Sequence, residues 1–245
     1  MLNGICLLPV IPMRKTKSDK SEMINQILFG ETFKILKKTT NWSHVELIHD
    51  KYQGWIDNKQ YHVTKHSNKD FFISNKKNAN IKINSINQPL ILGSLIPKKN
   101  ALRTELKLSE NLSFHKLKPI NSWFVKIAKT YLNTPYLWGG RTHLGIDCSG
   151  YTQIVYRCFN INLPRDAYQQ VEKGKPILNL SNSQIGDLAI FGKSKKITHV
   201  GIILDENKII HASGKVRIDS LDEKGIFNID SKSYSHQLKT IKRVF

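Results

Sequence analysis

Asp147-Cys148-Ser149-Gly150 is the stretch whose reading decides this chain. It follows Pro135-Tyr136-Leu137-Trp138-Gly139-Gly140. It precedes a run from Ser149 to Phe159 whose spacing predicts a helix with Ile154, Val155 and Cys158 on one face. Downstream come Thr198-His199-Val200-Gly201 and Ile209-Ile210-His211-Ala212-Ser213, both with strand character. A cysteine at the start of a helix, with two histidines on later strands, is an arrangement for making a thiolate and using it as a nucleophile. The unpaired N–H groups and dipole of a helix N-terminus favour an anion there. A nearby imidazolium lowers the thiol pKa further, and the Cys148 N–H is placed to stabilise an oxyanion.

The two histidines need a register. Asp205-Glu206-Asn207 reads as a short hairpin loop. With Leu204 opposite Lys208, His199 falls opposite Ser213 and His211 becomes its diagonal neighbour on the same sheet face. A slip of one residue would separate them. In this register His199 is the base paired with Cys148, and His211 orients His199, an imidazole in the place of the usual carboxylate or amide.

Outward from this centre, apolar spacing predicts a helix over Trp123–Leu132 and a short one from Pro164-Arg165-Asp166 through Gln170. Strands are predicted over Leu188–Phe191, His199–Leu204 and Lys208–Ala212. Helices first and strands after give an α+β domain over 121–245. Residues 1–62 read as a small β-barrel. A first strand is expected over 4–12, Phe33-Lys34-Ile35-Leu36 is another, and Trp42 to Leu47 alternates with period two. Residues 63–120 read as a second, divergent β module. Strands are expected at Phe71–Ser74, Pro89–Ser94 and Ala101-Leu102, with Asn75–Gln88 dominated by loop.

The 245 residues carry a net charge of +19, with 40% apolar and 23% charged residues. This composition is globular. The lysines are scattered, and no basic stripe interleaved with aromatics appears, so nucleic acid is not an expected partner. No apolar run reaches the roughly 20 residues of a membrane-spanning helix. Ile5 to Val10, interrupted by Pro9 and lacking a basic stretch before it, is a poor export signal, so a cytoplasmic location is expected; the alternative is periplasm or cell surface. Three cysteines, Cys6, Cys148 and Cys158, are too sparse for a disulfide framework and lack zinc-ligand spacing. Neither metal nor organic cofactor is expected.

Pro-Tyr-Leu-Trp-Gly-Gly (135–140), Asp-Cys-Ser-Gly (147–150), Leu-Pro-Arg-Asp-Ala (163–167), Gly-Asp-Leu (186–188), His-Val-Gly-Ile (199–202) and Ile-His-Ala-Ser (210–213) together resemble the NlpC-type cell-wall peptidases, a papain-like family. The resemblance implies Cys148 as nucleophile, His199 as base and His211 as third member. Tyr136 would stand beside the thiol, and Asp147 and Ser149 would line a subsite for D-glutamate. The substrates implied are murein stem peptides, cut between γ-D-glutamate and a diamino acid. Phe29-Gly30-Glu31 and Tyr52-x-Gly-Trp55 resemble a bacterial SH3-like barrel. One branch of the family joins two such barrels to the catalytic domain and requires a free N-terminal L-alanine. By that resemblance Glu31, Tyr52 and Asp166 would surround the ammonium group; ordinary barrel surface is the other reading of Glu31 and Tyr52. Arg165 reads equally as a carboxylate anchor or a structural ion-pair partner. Ala167 departs from the hydroxyl residue common in related sequences. An extracytoplasmic wall hydrolase and a non-catalytic wall binder are the rival functions.

Overall fold

The computed structural model describes residues 2–65, 71–77, 79–98 and 121–245. The chain divides into two compact units, one of residues 1–116 with 138–143, the other of 117–137 with 144–245. Among the described residues no helix is long and apolar enough to cross a membrane.

In the first unit, β1 (Asn3–Ile5), β2 (Val10–Arg14), β3 (Met23–Leu28), β4 (Thr32–Lys38), β5 (Trp42–Leu47), β6 (Gln53–Asp57) and β7 (His62–Thr64) form one sheet in the order β3-β2-β6-β5-β4-β1-β7. The alternation read in β5 is the observed burial: Ser43, Val45 and Leu47 are inside. Val45 and Leu47 share a core with Cys6, Ile11, Met13, Ile27, Phe33 and Ile56.

The single strand expected over 4–12 is corrected to two. Between β1 and β2 the backbone bonds to the Phe29-Gly30-Glu31 turn instead of a ladder: Cys6 N–H donates to Glu31 O, and Gly30 N–H to Cys6 O. Pro9 has no N–H to give a ladder. Gly30 is required at this turn. Its φ is +79°, and a Cβ there would lie 1.6 Å from the Leu95 carbonyl oxygen.

The second β module appears as β8 (Phe71–Ile73) paired with β11 (Leu95–Pro97), and β9 (Ala79–Ile83) paired with β10 (Ile86–Leu90). The loop expected over Asn75–Gln88 is thus largely a hairpin. Asn84 and Ser85, at φ 48° and 67°, make its two-residue turn with the left-handed backbone that tight hairpins need. Ile81, Leu90 and Ile96 pack in one cluster with Ile5, Leu7 and Phe29, so the described part of this module shares a core with the first barrel. The strand expected at Ala101-Leu102 lies outside the described residues, as do 99–120.

Arg141, on β12 (Arg141–Thr142), belongs to the first unit and is fully buried. Its Nη1 and Nη2 each lie 2.9 Å from a Glu31 oxygen, and Nη1 also donates to Gln26 O at 2.6 Å. Glu31, 0% exposed, accepts a further bond from Leu28 N–H. His49 Nε2 stands 3.6 Å from Glu31 and 3.1 Å from Asp50. Burial would raise the Asp50 carboxyl, but the charge and hydrogen bond of His49 outweigh it and hold the pKa at about 2. Glu31 is therefore not the open carboxylate expected of an ammonium ligand. The guanidinium fork already occupies both its oxygens, and protein encloses it. Tyr52 is half-buried against the barrel core, its N–H bonded to Asp50 Oδ1.

The second unit begins with α1 (Asn121–Lys129), whose Phe124 stacks on Phe159 at 5.0 Å. Tyr136 bridges to Ile146 in β13 (Gly145–Ile146). Then comes α2 (Cys148–Arg157), buried on all sides. Three of its buried polar side chains reach neighbouring segments: Thr152 Oγ1 donates to Gln170 Oε1, Gln153 Nε2 to Leu163 O and Tyr151 OH to Ala128 O. Asn160, at φ 62°, ends the helix in a left-handed cap. A short α3 (Ala167–Gln170) follows, capped by Asp166 and Gln169.

β14 (Lys175–Ile177), β15 (Leu188–Lys193), β16 (Lys196–Asp205), β17 (Lys208–Ser213), β18 (Lys215–Asp222), β19 (Gly225–Asn228) and β20 (Ser233–Arg243) complete the unit. β15 to β20 pair in sequence, and β20 also pairs with β15, which closes a six-stranded antiparallel barrel. Gly186-Asp187-Leu188 contributes to closure: Asp187 takes both Nε and Nη2 of Arg243, at 2.9 and 2.7 Å. The sequence reading missed β18 to β20.

Replacing Arg141 with alanine leaves Glu31 charged and enclosed without its guanidinium partner, and should cost about 3–5 kcal/mol. Replacing the pair together, Glu31→Leu with Arg141→Met, should recover most of it. Urea unfolding of the full chain checks both.

Candidate active site

Cys148 is the first residue of α2, and Asp147 is the N-cap, accepting Gly150 N–H at 2.7 Å. Arg165 clamps that cap. Its Nη1 lies 2.9 Å from Asp147 Oδ1 and 3.0 Å from Ser149 Oγ, and its Nη2 2.5 Å from Asp147 Oδ2. Arg165 is 1% exposed. Of its two sequence readings, the ion-pair partner is the one observed. Asp147 and Ser149, expected to line a subsite, are buried parts of the same network and fix the turn that presents Cys148. Asp166 is half-buried, and its carboxylate is hydrogen-bonded by Tyr168.

The strand register brings the histidines together. Gly201 pairs with His211, Ile202 with Ile210 and Ile203 with Ile209, as expected. Asp205, not Leu204, pairs with Lys208, because a bulge after Ile203 absorbs one residue at the turn. His199 Nε2 lies 2.9 Å from His211 Nδ1. Gly201 makes the approach feasible: a Cβ there would sit 2.9 Å from the Cβ of His211.

Two residues at this centre were absent from the sequence reading. Asp219 on β18 accepts from His211 Nε2 at 3.0 Å, and also takes Arg217 Nε and Nη2 at 2.6 and 2.8 Å. His236 on β20 stacks on His199, with ring centroids 4.0 Å apart and planes 24° apart. The alternation of Val216 to Leu221 was a signal for the strand that carries Asp219. Nothing local marked His236.

Asp219 sets the proton positions. Burial would raise its carboxyl, but hydrogen bonds from His211 and Arg217 hold it well below the usual range, so it only accepts. The hydrogen of a neutral His211 is then on Nε2, leaving Nδ1 bare. His199 must donate to it through Nε2, which leaves His199 Nδ1 as a lone-pair base. The Val200 amide, adjacent to His199, hydrogen-bonds the Cys148 sulfur, which places β16 at the thiol.

The thiol itself is pushed up to about 12, first by burial and then by Asp147; the Val200 amide, Arg165 and the Ser149 amide pull the other way without overcoming this. Burial, then His211 and His236, hold His199 well below the ordinary histidine range. Both shifts act against the thiolate expected from the helix terminus, because desolvation disfavours the charged form of each partner. Burial, then the Cys148 and Asp147 charges, raise the Tyr136 phenol. It stays a neutral O–H, and the Cys148 N–H, at the first position of the helix, has no intrahelical acceptor.

Residues 133–230 match the NlpC/P60 family, and residues 13–60 match the bacterial dipeptidyl-peptidase Sh3 domain. Among curated proteins, the chain is 26% identical over 246 residues to a gamma-D-glutamyl-L-lysine dipeptidyl-peptidase of Bacillus subtilis, covering 90% of this chain and 80% of that one. It is 43% identical over 91 residues to an Escherichia coli murein DD-endopeptidase/murein LD-carboxypeptidase. That match takes in 36% of this chain and 48% of the relative, so the chain spans about half the length of such relatives. Among solved structures, an NlpC/P60 family protein from Bacillus cereus has the same fold, with a TM-score of 0.80 at 17% identity over 98% of this chain and 99% of that one.

Asp219→Asn offers His211 a donor where it had an acceptor and reverses the tautomers. Turnover should fall about 100-fold or more with KM within about threefold; steady-state kinetics beside a folding check tests this. Alkylation of Cys148 by iodoacetamide, followed by peptide mass spectrometry, should quicken roughly tenfold per pH unit from pH 6 to 9 without levelling. A plateau beginning near pH 5 would mean a standing ion pair.

Proposed function

Starting from a chain that carries an NlpC/P60 cysteine-peptidase domain and a bacterial dipeptidyl-peptidase SH3 domain, we propose that it hydrolyses the γ-D-glutamyl–diamino-acid bond of murein stem peptides bearing a free N-terminal L-alanine. The observation that carries the reaction is the Asp219–His211–His199 chain beside the Cys148 helix. The name of the relative matched over 90% of this chain supports the bond class.

In this mechanism His199 Nδ1 takes the thiol proton as sulfur attacks the glutamyl carbonyl. Tyr136 O–H and the Cys148 N–H receive the oxyanion. Its collapse expels the amine of the diamino acid, which takes the proton back from His199, and leaves a thioester. Water, deprotonated by His199, then releases the L-alanyl-γ-D-glutamyl product and restores the thiol. Asp166, a half-buried carboxylate of the second unit, is the group we assign to the substrate ammonium. The role is recycling of wall peptides in the cytoplasm.

Mass spectrometry of products from L-Ala-γ-D-Glu-diamino-acid peptides, free and N-acetylated, tests the assignment. Cleavage of the free peptide at the γ-glutamyl bond is expected, with acetylation reducing kcat/KM at least tenfold and Cys148→Ala abolishing turnover. Equal turnover of blocked and free peptides, or cleavage of intact sacculi, would favour a wall hydrolase instead.

A further inference from the structure

His236 takes no part in the relay just described, yet it is the closest ring to the base. It enters from β20, opposite Ile226 of β19, and lies nearly parallel to His199. His211 stands edge-on to it at 5.9 Å, and Phe191 edge-on at 6.1 Å. Its Nδ1 meets Ser235 Oγ at 2.9 Å. The nitrogens of His199, His211 and His236 lie within 4.8 Å of one another. Coordination of a cation is nonetheless a poor fit: His199 and His211 already bond each other, and near-parallel rings set their lone pairs side by side.

We propose that His236 is a positioning residue for the reaction of the preceding section, on which this inference rests. Its ring holds the plane of His199 and, by its own charge state, controls how readily His199 holds a proton. Neutral, it is an aromatic plate over the imidazolium that forms during attack, an arrangement that favours the cation. Charged, it opposes a second cation 4.0 Å away. The charged and titratable groups facing it are His199 of β16, His211 of β17 and, through His211, Asp219 of β18 with its partner Arg217. Burial first, then His211, lower the His236 pKa to about 4, against the pull of Asp219. It is therefore neutral at working pH and becomes charged only in acid. The ring is half-buried, so its removal would admit water to the base.

His236→Phe keeps the plate and removes the titration; His236→Ala removes both. With His236→Phe, kcat at pH 7.5 should stay within about threefold of the parent; with His236→Ala it should fall about tenfold at unchanged KM. The acid limb of kcat/KM should move to higher pH in both, further in His236→Ala, because the opposing charge is gone and the alanine also lets water stabilise the imidazolium. In a Cys148→Ala background, imidazole nitrogen NMR should show the His199 protonation midpoint rising in the same order. An unmoved His199 titration in both variants, or phenylalanine no better than alanine in kcat, would overturn the role. If the parent cleaves no murein peptide, the functional reading fails, while the NMR titration still decides the coupling between the two rings.

Discussion

The second unit is organised around one carboxylate that can only accept. Asp219 receives hydrogen bonds from His211 and the Arg217 fork, and through His211 it dictates which nitrogen of His199 is bare. The dependence runs back to the ladders. Gly201 faces His211, and Ile209 faces Asp219, so three strands must hold one register for the three side chains to meet. A slip of one residue anywhere in β16 to β18 would turn one of them to the opposite face. The barrel closure through β20, tied at its end by Arg243 to Asp187, keeps those registers and brings His236 to the same place.

Burial shapes the chemistry as much as geometry does. A helix N-terminus alone would favour a thiolate, but Cys148 is nearly enclosed, and Asp147 adds a like charge beside it. Arg165 cancels much of that charge and fixes the cap. Desolvation therefore acts against the charged form of both the thiol and the imidazole. In the proposed reaction, charge separates as the substrate carbonyl takes the sulfur's electrons and the Tyr136 and Cys148 donors receive the oxyanion.

The first unit shows how a motif can serve the fold. Glu31 follows the glycine whose missing Cβ admits the Leu95 carbonyl, and its carboxylate neutralises a guanidinium brought from Arg141. With Gln26, His49 and Asp50 around it, this is a buried polar network whose members need one another. A residue selected from sequence as a binding group is here part of the frame.

Much of this was legible beforehand. The cysteine at the helix start, the pairing of His199 with His211 and the change from small β modules to an α+β domain all follow from local spacing, because 3.6- and 2-residue periods and tight-turn residues are written along the chain. The hairpin at Asn84-Ser85 was obscured by its Lys- and Asn-rich composition, and β19 and β20 by weak alternation. Sequence by itself determined the cysteine at the head of its helix and the two histidines that follow. Only the tertiary structure decided that Glu31 pairs inward, that the thiol is enclosed, and that Asp219 and His236 lie beside the two histidines. Those outcomes depend on desolvation and on contacts between residues far apart in the chain, and neither leaves a local pattern.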